Sequence, residues 1–414
     1  MKKYKIKSLV KGTVKWSLPF CLFTLLPLSC VDYSDATDYI SASVRLEMPA
    51  EFVSGSDYEG HDVTLTLGSQ RITATTDATG VATFHNLIPD VYDISTSWEI
   101  SNAEYQALTG DPSVNSGCTV SGSLNSHLIA AEQTIALQTI LNVNRDIVIG
   151  KIFYAGSKDN NNRTYMAGKF IELYNQSSQP VDVGGLYIGL VEAESTQAYT
   201  LDNLHELYAD SVVLLKQVFR IPEEQHLVAP GGTVLIVNSA IDHTTNNTLD
   251  YNLLDADFEA KDASGRTQNN PQTPALELIY SMYAAVSNMN LVQSGPCGVV
   301  IFRTDDDPTA WPRTYRYGRT TGNQWLLLPK RHIIDGVEVL NNKATGVDVN
   351  TKRLYSDIDA GYTNIEATSG WTGEIVYRKT QKTGENGQRI LADTNNSSND
   401  FQVSTSIGPR NYDE

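Results

Sequence analysis

Asp255, Asp257 and Glu259 recur at period two, so an extended segment would carry three carboxylates on one face. Hard oxygen donors so placed would take calcium, although the EF-hand spacing and its glycine are missing. The alternative is a solvated edge strand. A second constellation sets Trp311, Tyr315, Tyr317 and Trp325 among Arg313, Arg316 and Arg319. Flat rings stack on sugars or apolar ligands, and arginine and aromatic residues are enriched in recognition surfaces. The alternative there is ordinary strand packing. Asp305, Asp306 and Asp307 before Pro308 read as a turn. His226, His243 and His332 stand alone in sequence, and the chain has no G-x-S-x-G, H-E-x-x-H, phosphate-loop or dinucleotide fingerprint. No catalytic residue is assigned, no cofactor other than calcium is implied, and an enzyme is not the expectation.

The elements that must position these groups are strands. HDVTLTLG alternates with Val63, Leu65 and Leu67 on one face, and turn residues recur every eight to twelve positions. Residues 40–142 therefore predict one β-sandwich. The Ser- and Gly-rich stretch LTGDPSVNSGCTVSGSLNSH reads as a long hairpin or loop within it. DIVIGKIFYAG is apolar on both faces, a strand buried inside a second sandwich spanning 143–414. The stretch Lys169–Leu190 gives strand, turn and strand, with Glu172 inside the first. Asp202 is placed to cap a short helix ending at Tyr208, with Leu204 and Leu207 facing inward. Residues 241–296 read as an insertion of polar turns. The fold class is all-β, with two β-sandwich domains.

Composition narrows the partners. Residues 1–29 hold six lysines and no acid, so 25 basic and 48 acidic side chains remain beyond them, a net charge of −23. Such a balance disfavours nucleic acid and anionic lipid. Cys21 lies in the leader, and Cys118 and Cys297 read as two separate buried thiols, the alternative being a bridge that would need the two domains to touch there.

The first 29 residues have a lysine-rich start and a short apolar run broken by Pro19 and Pro27, the layout of a secretory signal. The run ends in LLPLSC, which resembles the lipobox of bacterial lipoproteins, with Pro27 where the pattern usually carries Leu. The resemblance implies lipidation at Cys30, followed by a tether over 30–39 carrying Asp32, Asp35 and Asp38. Early acids of this kind resemble the surface-export signal of Bacteroidetes lipoproteins.

TTDATGVATFHNLIPDVYDIS resembles carboxypeptidase-regulatory or prealbumin-like modules through Thr76, Asp77, Gly80, Phe84, Leu87 and Tyr92, with Asp90 where the family has Gly. Lys169–Leu190 and the closing phrase Arg378-Lys379, then Asp393 to Ser397, Asp400 and Phe401, resemble the lamin-tail domain, an immunoglobulin-like sandwich enlarged here by the insertion. FYAGSKDNNN, VNSAIDHTTN, LLDADFEAKD and DTNNSSNDF resemble an uncharacterised Bacteroidetes lipoprotein family known only as a domain of unknown function. Together these imply an outer-membrane, lipid-anchored and cell-surface-facing protein that binds a ligand or partner, as an accessory to an outer-membrane transporter. An adhesin or structural surface protein is the alternative, and a hydrolase with a scattered site is the second. Cys30→Ala should move the protein from the membrane to the soluble fraction, read by cell fractionation; a variant retained in the membrane would refute lipidation at Cys30.

Overall fold

The computed structural model describes residues 39–53, 58–109, 118–143, 145–245, 250–367, 371–384 and 387–413. The expected signal segment, Cys30 and the tether up to residue 38 lie outside the described residues. The chain is an all-β sandwich protein.

Residues 40–143 form two sheets. β1 (Ile40–Glu47) lies between β4 (Val81–Leu87) and β7 (Gln133–Gln138). β3 (Gln70–Thr75), β2 (Asp62–Leu67), β5 (Asp90–Ile100), β6 (Cys118–Ile129) and β8 (Ile140–Val143) form the other sheet in that order. The alternation read at Val63 and Leu65 points into their shared core, against Val44, Phe84, Tyr92 and Ile135. Of the Ser- and Gly-rich stretch read as a long hairpin or loop, residues 110–117 lie outside the described residues, and the part from Cys118, beyond helix α1 (Asn102–Thr109), lies in the twelve-residue β6, paired antiparallel with β5. Its serines pair along β5, and Gly122 is needed because a Cβ there would lie 2.8 Å from the Gln138 carbonyl oxygen.

The second sandwich is built on β9 (Ile147–Phe153), which is buried throughout. β9 lies between Phe170–Asn175 and Ile375–Arg378 in a six-stranded sheet whose edges are Phe258–Glu259 and Phe401–Ser404. The facing sheet carries Val212–Arg220, Tyr187–Val191, Val299–Phe302, Trp325–Pro329 and Ile333–Val337. Ile149, Ile171 and Leu235 meet Ile188, Phe219, Val299 and Ile301 between the sheets. The outer face of the second sheet is also covered, with Val213, Phe302 and Leu328 packing against Leu204, Leu354 and Tyr355.

Two expectations are corrected here. The segment 241–296 is not a set of polar turns apart from the sheets: Glu277–Ser281 pairs with Val212–Arg220, and Phe258–Glu259 pairs with Thr233–Val237, so it widens both. The short helix, Leu201–Tyr208, is capped by Thr200 rather than Asp202, since the Thr200 side chain accepts from the Asn203 N–H and Asn203 returns the bond. Leu204 faces inward, whereas Leu207 is exposed because Leu201, Leu204 and Tyr208 take the inner stripe.

Charge runs through this core. Lys151 and Glu172 are cross-strand partners, fully buried and 2.9 Å apart. The last residues of the chain close over them: Lys151 Nζ donates to the Gly408 carbonyl at 3.0 Å and lies 3.7 Å from the Tyr412 ring centre. Arg378 is likewise buried. It donates to both oxygens of Asp335 at 2.8 and 2.9 Å, to Asp393 at 3.2 Å and to the Ile149 carbonyl at 2.9 Å, and Asp400 lies 3.5 Å away. Burial pushes the Asp400 carboxyl up to about 6 against the pull of Arg378. The folded state therefore holds the Asp400 proton more tightly than the unfolded chain does. The associated stability is fully present below pH 3.8 and is lost as pH rises through about 6. Asp400→Asn should remove this slope, so its melting temperature relative to the parent should rise between about pH 4 and pH 6; parallel curves would refute the assignment.

Candidate ligand-binding cleft

β8 runs out of the first sandwich and, after residue 144, the chain re-enters the second at Arg145. Beside this crossing lies a cleft of about 660 Å³, with Ile140 and Leu141 on one wall and Ile147, Val181, Leu186, Ile333 and Ile334 on the other. A second hollow of about 440 Å³ shares Arg145, Ile333 and Asp357 with it and adds Lys330 and Arg331, making one trough. Concave, partly apolar surfaces between domains are where small molecules bind.

Four cations and three carboxylates, Glu51, Asp146 and Asp357, line the trough. Arg145 is held by the Asn395 side-chain oxygen at 2.8 Å and by Asp393 at 3.4 Å. Arg303 donates to the Gly184 and Asp182 carbonyls at 2.9 and 2.5 Å, which fixes an exposed guanidinium at the rim. Lys330 pairs with Asp357 at 2.7 Å, and Arg331 with Asp306 at 3.3 Å. Planar guanidinium forks match carboxylate, sulfate or phosphate oxygens, and the isoleucine and leucine walls would take an apolar body. Sequence reading missed this trough because its lining comes from eight separate segments, spread from residue 51 to residue 395. The one local signal was the basic run Lys330-Arg331-His332 in an acidic chain.

The aromatic and arginine segment flanks the trough but is not one surface. Trp325 is 3% exposed and packs in the core, because Trp325–Pro329 is a strand beside Val212–Arg220 that is covered on both faces. Its expected recognition role is corrected to packing. Trp311 is half-buried and stacks on His332 with ring centres 5.6 Å apart. Arg313 lies 4.9 Å from the Tyr280 ring, and the Tyr280 hydroxyl donates to the Gln324 carbonyl at 2.5 Å. These contacts bring residues 305–325 against the 241–296 segment. Tyr315 is half-buried, Arg316 pairs with Glu194 at 3.1 Å, and Tyr317 is exposed with its edge on Tyr199.

The three acids read as a calcium face do not converge. Residues 253–257 turn instead of running extended, and Arg410 binds Asp255 and Asp257 at 2.9 Å each. Glu259 is buried elsewhere, accepting from the Ala240 and Asn270 N–H groups beside Lys261. Among the described residues no group of three or more His, Cys, Asp or Glu side chains is placed to hold a metal ion. Cys118 and Cys297 are free, buried thiols.

For the hydrolase alternative, the grouping nearest to a catalytic set is Ser157, Asp250, His243 and Tyr165. Ser157 donates to Asp250 at 2.8 Å, while His243 is held between the Tyr165 hydroxyl at 2.6 Å and the Ser239 carbonyl at 2.9 Å. Both ring nitrogens of the buried His243 are thus engaged in fastening 241–245 to the sheet.

A family described as Protein of unknown function (DUF4876) matches residues 229–407. Among solved structures, a DUF4876 family protein from Bacteroides thetaiotaomicron is similar over 90% of this chain and 97% of its own, at 20% identity and a TM-score of 0.58. That likeness is one of fold. A DUF3823 family protein from Parabacteroides merdae matches over 48% of this chain and 98% of its own, at 10% identity and a TM-score of 0.15. No curated protein matches. The resemblance to an uncharacterised family named as a domain of unknown function is met by the DUF4876 match.

Trp325→Ala should cost about 3–5 kcal/mol of stability, as for other large-to-small core substitutions, whereas Tyr317→Ala should leave stability within about 0.5 kcal/mol. Denaturant unfolding of the two variants measures both; equal effects would return Trp325 to the list of surface groups.

Proposed function

We propose that the protein is a surface-exposed, lipid-anchored outer-membrane binding module whose ligand site is the trough beside Arg145 and Arg303. The observation that supports this reading is the cleft beside the crossing between the sandwiches, where Arg303, held by the Gly184 and Asp182 carbonyls, presents an exposed guanidinium next to isoleucine and leucine side chains. In a strongly acidic chain, an exposed guanidinium beside apolar side chains is a place where an anion meets a favourable partner. The ligand class is an anion with an apolar or sugar-like body. The lipobox-like LLPLSC and the acidic residues after it support the anchored, outward-facing location. Delivery of captured ligand to an outer-membrane transporter is the role this location favours.

A panel of uronic acids, sulfated sugars and medium-chain carboxylates, each screened by thermal shift on the full chain, tests the proposal. A binder should raise the melting temperature. Arg303→Gln and Arg331→Gln should each weaken it roughly tenfold or more, since a hydrogen bond to a charged group contributes about 1.5–3 kcal/mol. A binder whose affinity ignores both substitutions would place the site elsewhere. Cell adhesion that survives the same substitutions would favour the structural or adhesin role.

A further inference from the structure

At the end of the first sandwich opposite the trough, four large apolar side chains face solvent: Tyr39 at 63% exposure, Ile88 at 44%, Val91 at 43% and Leu128 at 59%. The sheet register gathers them. Ile40 pairs with Leu87, which brings Tyr39 and Ile88 to the same end of the three-stranded sheet. Val91 pairs directly with Leu128 across β5 and β6. The Gln133 side-chain amide donates to the Leu128 carbonyl at 3.0 Å, and Gln133 is the β7 partner of Ala42, so the ends of both sheets close on one another. Single exposed apolar residues are ordinary, but four at one end of a small sandwich form a patch that a soluble domain would otherwise keep polar. Asp90 and Glu132 are the ionic groups at its edge, and both are exposed.

We infer that this patch docks against the lipid surface to which the protein is anchored. The inference rests on the lipoprotein reading proposed above. Eight residues separate Cys30 from Tyr39, and a chain rises at most about 3.3–3.6 Å per residue. The patch is therefore held within roughly 30 Å of the acylated cysteine. Tyr39 belongs both to the patch and to the point where the tether joins the folded chain, so the patch has the shortest chain path to Cys30. The two acids at its rim and the strongly negative chain select a zwitterionic lipid surface over an anionic one.

The acyl anchor supplies the affinity and the patch supplies the orientation. β5 is eleven residues long, about 33 Å at a strand's usual rise, and runs from the patch at Asp90 and Val91 towards the trough end, where β8 leads to Arg145. Docking at one end thus stands the trough away from the membrane.

The test uses full-length protein acylated in its host and reconstituted into phosphatidylcholine–phosphatidylethanolamine vesicles. A water-sensitive fluorophore is placed on Leu128→Cys or, as a control at the opposite end of the sandwich, on Ala78→Cys. The buried Cys118 and Cys297 leave the parent chain unlabelled in its folded state. The Leu128 label should shift to the blue on vesicles and be quenched by lipids brominated in the acyl chain, while the Ala78 label should do neither. Adding Ile88→Asp and Val91→Asp should abolish the quenching and leave flotation with vesicles intact. A Leu128 label that stays water-exposed on floating protein would overturn the proposal, as would a blue shift that depends on protein concentration without vesicles, the mark of a second copy covering the patch. Flotation is read separately with Cys30→Ser. If that variant floats like the parent, the anchor reading fails, while the Leu128 quenching still decides whether the patch meets lipid.

Discussion

The guanidinium of Arg378 is the joint on which the second sandwich depends. Arg378 belongs to the six-stranded sheet and Asp335 to the facing one, and their bidentate contact is a charged stitch through the space between them. Asp335 in turn accepts from the Ile149 N–H at 2.7 Å, where β9 departs from regular pairing. Through Asp393 the same guanidinium reaches the Asp393–Asn396 loop, whose Thr394 carbonyl accepts from Ser121 of the first sandwich at 3.0 Å and whose Asn395 holds Arg145. One buried cation therefore fixes the distance between two sheets, the path of the closing loop and the pose of an arginine in the ligand trough. Removing one partner of such a site leaves uncompensated buried charge, a loss of about 3–5 kcal/mol in comparable cases.

Other ionisable groups in the interior are satisfied less completely. Lys216 and Lys169 are both buried around the Cys297 thiol, and burial lowers each amine to about 8. Lys169 donates to the Leu291 carbonyl at 2.6 Å, whereas among the described residues Lys216 Nζ has no hydrogen-bond partner. An orphaned buried donor costs about 1–3 kcal/mol. Near it, Glu192 takes Arg353 at 2.7 Å, and Glu338 accepts the Arg353 and Leu354 N–H groups at 2.6 and 2.7 Å. These contacts pin the 338–361 segment over the outer face of the second sheet. That is how a sheet with apolar residues on both sides is covered by chain that reads as polar loop.

Strand periodicity carried most of the architecture, and the residues show where it stopped. Val63 and Leu65 alternate because one face of β2 is wet, which is the condition under which a period of two is visible. β9 and the Trp325–Pro329 strand are covered on both sides, so their runs signal burial without saying what lies opposite. That is why Trp325, grouped by sequence with exposed neighbours, proved to be core. Glu172 was visible as an acid inside an apolar strand, but its partner Lys151 is set by the β9 register shift, which no spacing rule encodes. Asp255 and Asp257 had the right period for a strand that does not form, and the cation that binds them, Arg410, comes from 153 residues further on. The trough stayed hidden for the same reason: its residues become neighbours only through long-range pairing, while the closing phrase around Asp393 was legible as a phrase without its meaning as the counterion of Arg378.

The order in which the chain is made gives the Lys151–Glu172 pair a further role. Gly408 lies 257 residues after Lys151. At about 5–20 residues per second, roughly 10–50 s pass between synthesis of β9 and arrival of the segment that seals it. During that interval the central strands of the six-stranded sheet exist without their lid. Had Lys151 and Glu172 been the valine and isoleucine that a finished core would accept, the unfinished sheet would offer a continuous apolar face to any other nascent chain. A lysine beside a glutamate at its centre makes that face polar until Gly408, Arg410 and Tyr412 cover it. The pair that is costly to bury in the native state is thus also the one that is readily hydrated before it is buried.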